Sequence, residues 1–532
     1  MKARAYPGSR IDAGRMSRRA LVGGGLALGG AAALSPLAGV LGGPSRLAAA
    51  RQDAAAPGGS LRVGLYLDAA TMDPHFSGSK VDRQIYFNVY DPLVTLAEDL
   101  SIQPGLAESW EAPDPTTYVF HLREGVTFHD GTAFDAAAVK VNFDRMMDPE
   151  LKSLRRGDVA GIESVEVVDP LTVTLHLAEP NSALLATLTD RAGMMISPAA
   201  IEQFGEELAR NPVGTGPFKF VEWQKDDSLH LERNTDYWMD GLPHLDEIRY
   251  RVILDDSVRI AALKNHEIDM VDYVPPKFVA DTRADANLQT IDIPSLAVWF
   301  IWLNTTAPPF DNKALREAFA SAIDIAPIVE RIYLGIGKPA NGPISPASWA
   351  YAKDVPVRPR DLDFARAKLA EGGMPDGFAC AFKTEPTPSN LQVSQIVQAM
   401  VAEVGITMDI IQVDTATQIA DTVAKNFEAT WSQWSGRPDP DGNTYQHFHV
   451  NGGMNYGGYD NPEVNELLDQ GRVVSDRDER TKIYGRVTEI LQEECPAVFV
   501  WHPDEPKAMA TNVQGFPPVP DGMMRFATVS LD

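Results

Sequence analysis

The sequence contains little cysteine: Cys380 and Cys495 are the only two in 532 residues. Two isolated thiols supply fewer than the three or four ligands that a zinc site needs. Disulfides form in exported proteins, but a chain of this length buries enough apolar surface to fold without them. We therefore expect both cysteines to be buried free thiols, although the sequence gives no distance between them.

The sequence also lacks the common catalytic and nucleotide-binding motifs. It has no G-x-S-x-G, no H-E-x-x-H, no G-x-x-x-x-G-K-[ST] and no G-x-G-x-x-G after a strand. His447 and His449 could place two imidazoles on one side of a strand, which is too few for zinc. These absences disfavour a hydrolase without excluding one. We predict a protein that is not an enzyme and that carries no cofactor or metal.

Basic residues are scarce relative to acidic ones, with 47 Lys and Arg against 73 Asp and Glu and a net charge of −26. This balance excludes nucleic acid as a main partner, because phosphate binding needs clustered cations. It equally disfavours an anionic membrane surface. Residues 1–50 hold seven basic residues and one acidic residue, so the remaining residues carry −32.

The basic excess belongs to an export-like segment. Arg18 and Arg19 precede a Gly- and Ala-rich apolar run that ends at Gly43, which predicts a twin-arginine signal peptide over residues 1–50. Small residues allow cleavage after Ala50 or Ala56, and the start codon is Met1 or Met16. The alternative is a single membrane anchor. Since no cysteine lies near a cleavage site, we expect a periplasmic, soluble protein without a lipid anchor.

The rest of the chain alternates between strand-like and helical patterns, which is typical of an α/β protein. Alternating apolar residues predict five strands, at Ser60–Leu65, Thr117–Leu122, Val165–Val168, Thr172–Leu177 and Phe218–Trp223. Apolar residues at helical spacing predict three helices, at Asp135–Met147, Leu315–Tyr333 and Val473–Gln492. Asp135 stands where it can cap its helix.

Five segments resemble a known family, and they occur in the family's order. They are GLAESWE with TYVFHLREGVTFHDGTAFDAAAVKVNFDR within 105–145, PVGTGPFKFVEWQKDDSLHLERNTDYW at 212–238, RIAALKNHEIDMV at 259–271, FDNKALREAFASAIDIAPIVERIY at 310–333, and NYGGYDNPEVNELL at 455–468. They are similar to the extracytoplasmic solute-binding proteins of peptide/nickel-type ABC importers, the dipeptide- and oligopeptide-binding group. The resemblance covers essentially all of residues 58–532.

The resemblance implies an α/β, two-lobed periplasmic-binding-protein-like fold with a hinge between the lobes. Lobe I would comprise 58–296 plus 503–532, with an extra subdomain at 96–205, and lobe II would comprise 297–502. A hinge that closes around a ligand needs no catalytic group. The implied function is to capture a small peptide or a peptide-like or acidic solute and deliver it to an ABC permease and ATPase. The protein would act as a monomer.

The segment WSQWSGRPDPDGN at 431–443 is the strongest candidate for ligand contact. In peptide-binding members of the resembled family, an acidic residue of this segment holds the α-ammonium of the peptide. Alignment on Trp434 and Pro440 places Arg437 at that position, where a cation would repel an ammonium group. We therefore expect Arg437 to bind a ligand carboxylate or another anion. The alternative is an exposed loop with solvated charges.

Further candidates complete the predicted site. Trp434 can stack on the ligand, Ser435 and Asp439 flank Arg437, and Gly436 permits close backbone approach. In the first lobe, Phe76 and Ser77 lie in a loop that the resemblance implies is near the ligand. Trp299 is expected to face the cleft, whereas Trp302 is expected in the core.

Two other functions stay open at this point. One is a nickel or metal-chelate receptor of the same family, for which His447 and His449 are the only nearby histidines in the sequence. The other is a secreted hydrolase on an α/β scaffold.

Overall fold

A computed structural model describes residues 58–532. The predicted signal peptide and both cleavage positions lie outside the described residues. Within the described chain, no helix is both long enough and apolar enough to cross a membrane. Five sheets and seventeen helical segments of mixed order form the fold.

The first large sheet has seven strands. Their spatial order is Leu288–Ile291, Lys507–Ala510, Met270–Val271, Ser60–Leu65, Glu247–Val252, Ser228–Arg233 and Phe218–Gln224. The strand Ser60–Leu65 pairs in parallel with both neighbours, and its core residues Leu61 and Val63 are fully buried. The predicted strands at Ser60–Leu65 and Phe218–Trp223 are confirmed, the second extending by one residue to Gln224.

The second large sheet has six strands, all from the later part of the chain. Their order is Lys338–Pro339, Ala497–His502, Val298–Leu303, Ala429–Trp434, Ala379–Thr384 and Thr407–Gln412. The central strand Val298–Leu303 is hydrogen-bonded on both sides, with antiparallel partners. Apolar clusters pack on both faces of this sheet, so its strands are rich in aromatic and branched residues.

A separate four-stranded antiparallel sheet lies early in the chain. Its order is Ala107–Asp114, Thr117–Leu122, Thr172–Leu177 and Ile162–Asp169. This confirms the three strands predicted in this region, and the last two of them form a hairpin that turns after Asp169. Two further strand pairs complete the sheets, Val94–Leu96 with Ile102–Pro104 and Val513–Gln514 with Ser530–Leu531.

Fifteen α-helices surround the sheets. They are Lys80–Val89, Ala136–Met147, Arg156–Val159, Leu184–Thr187, Pro198–Phe204, Asp256–Lys264, Pro276–Ala284, Lys313–Ser321, Ala326–Ile332, Leu362–Glu371, Pro388–Ala402, Thr415–Val423, Asp441–Phe448, Pro462–Val473 and Arg477–Glu494. Two short 3₁₀ helices are Pro74–Phe76 and Gly205–Ala209. As predicted, Asp135 caps the helix Ala136–Met147 by accepting a hydrogen bond from the Ala138 amide.

Two predicted helices differ from the structure at their boundaries. The single helix expected at Leu315–Tyr333 is two helices, because Pro327 lies in the first turn of the second one and cannot donate within a continuous helix. The helix expected from Val473 begins only at Arg477, where Asp476 caps it. Val473 is instead the last residue of the preceding helix.

The chain passes between the two large sheets twice, and the two passages lie side by side. The first joins Leu288–Ile291 to Val298–Leu303, and the second joins Ala497–His502 to Lys507–Ala510. The Glu505 amide donates to the Ile293 carbonyl at 2.7 Å, and the Ser295 amide donates to the Pro503 carbonyl at 3.2 Å. These bonds hold the two passages together as one paired connection.

Both cysteines are buried free thiols. They belong to the same apolar cluster on one face of the second sheet. Burial raises the pKa of Cys380 to about 12 and that of Cys495 to about 11, so both thiols stay protonated at neutral pH. The structure thus agrees with the expectation of two buried thiols that do not pair.

The turn before the strand Phe218–Gln224 depends on glycine, which gives a first prediction. A Cβ added at Gly216 would lie 2.5 Å from the Val89 carbonyl carbon, in backbone that cannot move freely. We expect Gly216→Ala to lower the free energy of unfolding by about 1–3 kcal/mol. Gly161→Ala is the matched control, because nothing lies within 4 Å of its added Cβ. Urea unfolding of both variants checks this, and equal stability would contradict it.

Candidate functional site

A cavity of about 670 Å³ lies beside the paired connection. Strand residues of the second large sheet line it, together with Tyr66 and Asp272, which directly follow strands of the first sheet, and Pro503 and Glu505 of the connection itself contribute. This volume is typical of small-molecule binding sites. Four of the predicted site residues line the cavity: Trp299, Trp434, Ser435 and Arg437.

Aromatic rings form much of the cavity wall. The Trp299 ring lies 5.4 Å from that of Trp501 and 5.9 Å from that of Trp431, centroid to centroid. On the other side of the cavity, Tyr66 and Tyr273 meet edge to face at 6.3 Å. Packing on neighbouring rings fixes the orientation of these side chains. Trp302 points to the opposite face of its strand and is fully buried, as expected from strand alternation.

The loop that carries Arg437 is held by one buried amide. The Asn443 side chain accepts from the Trp434 indole at 2.9 Å and from the Arg437 amide at 2.7 Å. It also donates to the Arg437 carbonyl at 2.9 Å. The Arg437 guanidinium stacks over the Trp434 ring at 4.3 Å and donates to the Gly436 carbonyl. Trp434 therefore presents its face to Arg437, which positions the cation at the cavity.

Gly436 does not line either major cavity. It has a φ of +77°, and a Cβ added there would lie 2.1 Å from the Leu296 carbonyl oxygen. The close approach that this glycine permits is therefore to the protein's own connecting segment. Gly436 therefore brings the Arg437 loop into contact with the passage between the sheets.

Four arginines line the cavity together, although they are far apart in sequence. We call them the arginine cluster: Arg83, Arg155, Arg191 and Arg437. Sequence reasoning identified only the last of them, because no local spacing connects the other three. Asp190 accepts from Arg83 Nε at 3.2 Å, and their closest salt-bridge atoms are 2.7 Å apart. Asp158 accepts from Arg155 at 2.8 Å.

The cluster's charges perturb one another. The pKa of Arg191 is lowered to about 9, chiefly by burial; the Asp190 carboxylate opposes this shift and the neighbouring guanidiniums add to it. Burial, followed by repulsion from Arg83, lowers the pKa of Arg437 to about 10. Both arginines remain charged at neutral pH, so the cavity presents a concentrated positive charge in a protein that is otherwise acidic.

A smaller cavity of about 290 Å³ adjoins the larger one and shares Trp434 and Arg437 with it. Asp439 lines this smaller cavity, but its carboxylate accepts from Arg480 at 2.8 Å and 2.6 Å, one bond to each oxygen. The pair is almost fully buried, with the two side chains 4% and 10% exposed. The structure therefore shows Asp439 engaged in an internal ion pair.

Phe76 and Ser77 line neither major cavity, although neighbouring Gly78 lines the larger one. The Phe76 ring packs under the Arg145 guanidinium at 5.0 Å. The Ser77 carbonyl accepts from Arg191 Nη1 at 2.9 Å, so this loop orients one member of the arginine cluster.

The two histidines considered as metal ligands have different surroundings. His447 is buried near the Trp434 ring at 4.7 Å, and burial lowers its pKa to about 3. His449 stacks on Tyr445 at 4.1 Å. In the part of the chain that the structure describes, no three His, Cys, Asp or Glu residues are grouped to hold a metal ion.

Two sheets joined by a paired connection, with an apolar and charged cavity beside it, define a two-lobed binding protein. The chain belongs to the bacterial extracellular solute-binding proteins of family 5, whose model matches residues 101–455. The fold expectation, α/β with two lobes, is thereby confirmed.

Relatives and solved structures agree with this assignment. The chain is 32% identical over 478 residues to the glutathione-binding protein GsiB of Escherichia coli O157:H7, covering 87% of this chain and 92% of the relative. It resembles the periplasmic binding protein DppA of Helicobacter pylori in complex with the peptide STSA (TM-score 0.78, 28% identity, 89% and 98% covered). It also resembles AgaA of A. tumefaciens R10 in complex with agropinic acid (TM-score 0.77, 28% identity, 89% and 99% covered).

The buried Asp439–Arg480 pair gives a second prediction. Removing one partner leaves an uncompensated buried charge, so we expect Asp439→Ala to lower the free energy of unfolding by about 3–5 kcal/mol. The control is Asp363→Ala, whose carboxylate is 98% exposed beside Arg366. An exposed pair contributes at most about 1 kcal/mol. Chemical denaturation compares the two, and a small effect at Asp439 would contradict the assignment of this residue to a stabilising role.

Proposed function

We propose that the protein is the substrate-binding component of an ABC importer, which captures a peptide-like or small acidic solute outside the cytoplasm. It delivers that solute to a membrane permease and its ATPase. The single observation that carries the proposal is the cavity of about 670 Å³, lined by both lobes, in which Arg437 stands where the resembled peptide receptors carry an acid. A cation at that place selects an anionic group in the ligand.

The ligands of the relatives support this class of solute. GsiB is a glutathione-binding protein, DppA was solved with a tetrapeptide, and AgaA was solved with agropinic acid. All three ligands are small molecules with acidic groups. The family consists of solute-binding proteins, and we propose that this member likewise binds without catalysing a reaction.

We propose separate roles for the eight site residues inferred from the sequence. Trp299, Trp434, Ser435 and Arg437 contact the ligand, because they line the larger cavity. The other four support that surface: Phe76, Ser77, Gly436 and Asp439. Ser77 does so through its bond to Arg191, and Gly436 through its approach to Leu296.

We further propose the lobe boundaries and the route of export. The side-by-side passages support a change of lobe at 296/297 and 502/503, and the four-stranded sheet supports an extra subdomain within 96–205. The twin-arginine segment supports export to the periplasm as a soluble monomer without a lipid anchor.

One experiment identifies the ligand and separates the alternatives. The exported protein is purified and denatured, and the released solute is identified by mass spectrometry. A peptide-like or acidic compound supports the proposal. Nickel found by elemental analysis would support the metal-chelate receptor instead. Turnover of ester, peptide or glycoside substrates would support the secreted hydrolase.

The third prediction concerns Arg437. We expect Arg437→Ala to weaken binding of the identified solute about 10- to 100-fold, because a hydrogen bond to a charged partner contributes about 1.5–3 kcal/mol. Isothermal titration calorimetry measures the change. Arg249→Ala is the control, since Arg249 is an exposed arginine paired with Glu247 on the first sheet. Unchanged affinity in Arg437→Ala would contradict ligand binding by this residue.

A further inference from the structure

We infer that the arginine cluster selects a ligand that presents two negative charges to it, and that this dianion joins the two lobes. The inference rests on the proposed receptor function and narrows its substrate class. Arg83, Arg155, Arg191 and Arg437 all line one cavity, and they come from four separate places in the chain. The charge they leave uncompensated, their free donors and their distribution between the lobes lead to the same ligand.

The first step is a count of charge. The cluster carries four guanidiniums, and the two carboxylates bonded to it are Asp158 and Asp190. Two positive charges are thus without a bonded carboxylate. The remaining cation lining the larger cavity, Lys80, is paired with Glu505, and the other lining carboxylates, Asp256, Asp272 and Asp504, form no hydrogen bond or salt bridge with the cluster. Arg83 and Arg191 are buried, and buried cations are stable only when an opposite charge compensates them.

The second step is a count of hydrogen-bond donors. Nε of Arg155 and Nε of Arg191 are both buried and have no hydrogen-bond partner in the structure. Arg191 is only 4% exposed, and its Nε lies 3.6 Å from the Asp190 carboxylate, which is within ion-pair range but too far for a hydrogen bond. Arg437 donates from Nη1 to the Gly436 carbonyl and to Ser435, both neutral acceptors. Guanidinium donors of this geometry match carboxylate and phosphate oxygens.

The third step is the location of the arginines. Arg83 lies in the helix Lys80–Val89, which is hydrogen-bonded to Met524 and, in the first sheet, to Tyr250. Arg191 lies shortly before Met194, which forms an isolated β-bridge. Arg437 follows the strand Ala429–Trp434 of the second sheet.

The charges on the two sides of the cleft influence each other directly. After burial, repulsion from Arg83 contributes most to the lowered pKa of Arg437. Bringing the lobes together therefore concentrates like charge, and this repulsion opposes closure. An anion bound between the two sides turns the repulsion into attraction, because each guanidinium then faces a negative group. A ligand with two negative charges neutralises the cluster, whereas a ligand with one leaves a positive charge enclosed.

Two chemical sources can supply two adjacent negative charges: a pair of carboxylates or one phosphate group. Matched ligand pairs distinguish them. Glutathione has two carboxylates, and its glycine monoethyl ester has one. The tripeptide Ala-phosphoserine-Ala carries a phosphate dianion that its unphosphorylated parent lacks. Each pair differs at a single group and keeps the same peptide length.

Calorimetry on the full mature protein measures the affinity ratio within each pair. We expect at least one pair to show binding that is about 10- to 100-fold tighter for the more negative member. The pair that does so identifies the anionic source. In Arg155→Gln and Arg437→Gln, which alter the cluster from opposite sides of the cleft, that ratio falls toward one. Arg249→Gln, an exposed arginine on the first sheet, keeps the wild-type ratio.

The outcomes separate this inference from the proposed function. Equal affinities within both pairs, or ratios unchanged in both cluster variants, would overturn the dianion inference while leaving a peptide receptor intact. Binding of none of the four peptides would overturn the inference together with the proposed peptide-like substrate class. Circular dichroism confirms that each variant is folded before its ratio is used.

Closure of the two lobes is measured separately from affinity. Small-angle X-ray scattering measures the radius of gyration with each member of the selective pair at saturating concentration. We expect a smaller radius with the more negative member than with its partner. Equal compaction by both members would overturn the coupling between ligand charge and lobe closure.

Discussion

The pairing of the two passages between the sheets is the constraint on which the rest of the structure depends. Glu505 bonds to Ile293 and Ser295 bonds to Pro503, so both crossings occur at one place. Two lobes joined in this way can rotate about the connection while their sheets stay intact. The cavity lies beside the connection, and Glu505 is part of its wall. The same backbone pairing therefore joins the two sheets and borders the cavity.

The positive charge of its lining distinguishes the cavity from the rest of the protein. The chain as a whole carries −26, yet one part of the cleft gathers four guanidiniums. Distant surface acids are screened by solvent and salt, so they do little to neutralise cations inside a cavity. Local partners such as Asp190 compensate part of the charge. What remains is available to a ligand, which is the physical basis of the acidic solute proposed for this acidic protein.

The strands were predicted well from sequence, and the helix boundaries less so. Period-two patterns at Thr117–Leu122 and Thr172–Leu177 report burial on one face, which any sheet partner satisfies. The apolar spacing across Leu315–Tyr333 also indicated burial, but this pattern does not register Pro327, at which one helix is replaced by two. Within the site, Trp299 and Trp302 were assigned to opposite faces from their spacing alone, and the structure places them so.

By itself, the sequence determined the family, the α/β class and the unusual cation at Arg437, because each depends on local residue types in order. Only the tertiary structure decided that Asp439 forms an ion pair with Arg480, that Gly436 approaches Leu296 closely, and that three more arginines line the same cavity as Arg437. The physical reason is distance along the chain. Buried charges pair with groups that folding brings near, and no periodicity in the sequence predicts a contact between residues tens to hundreds of positions apart.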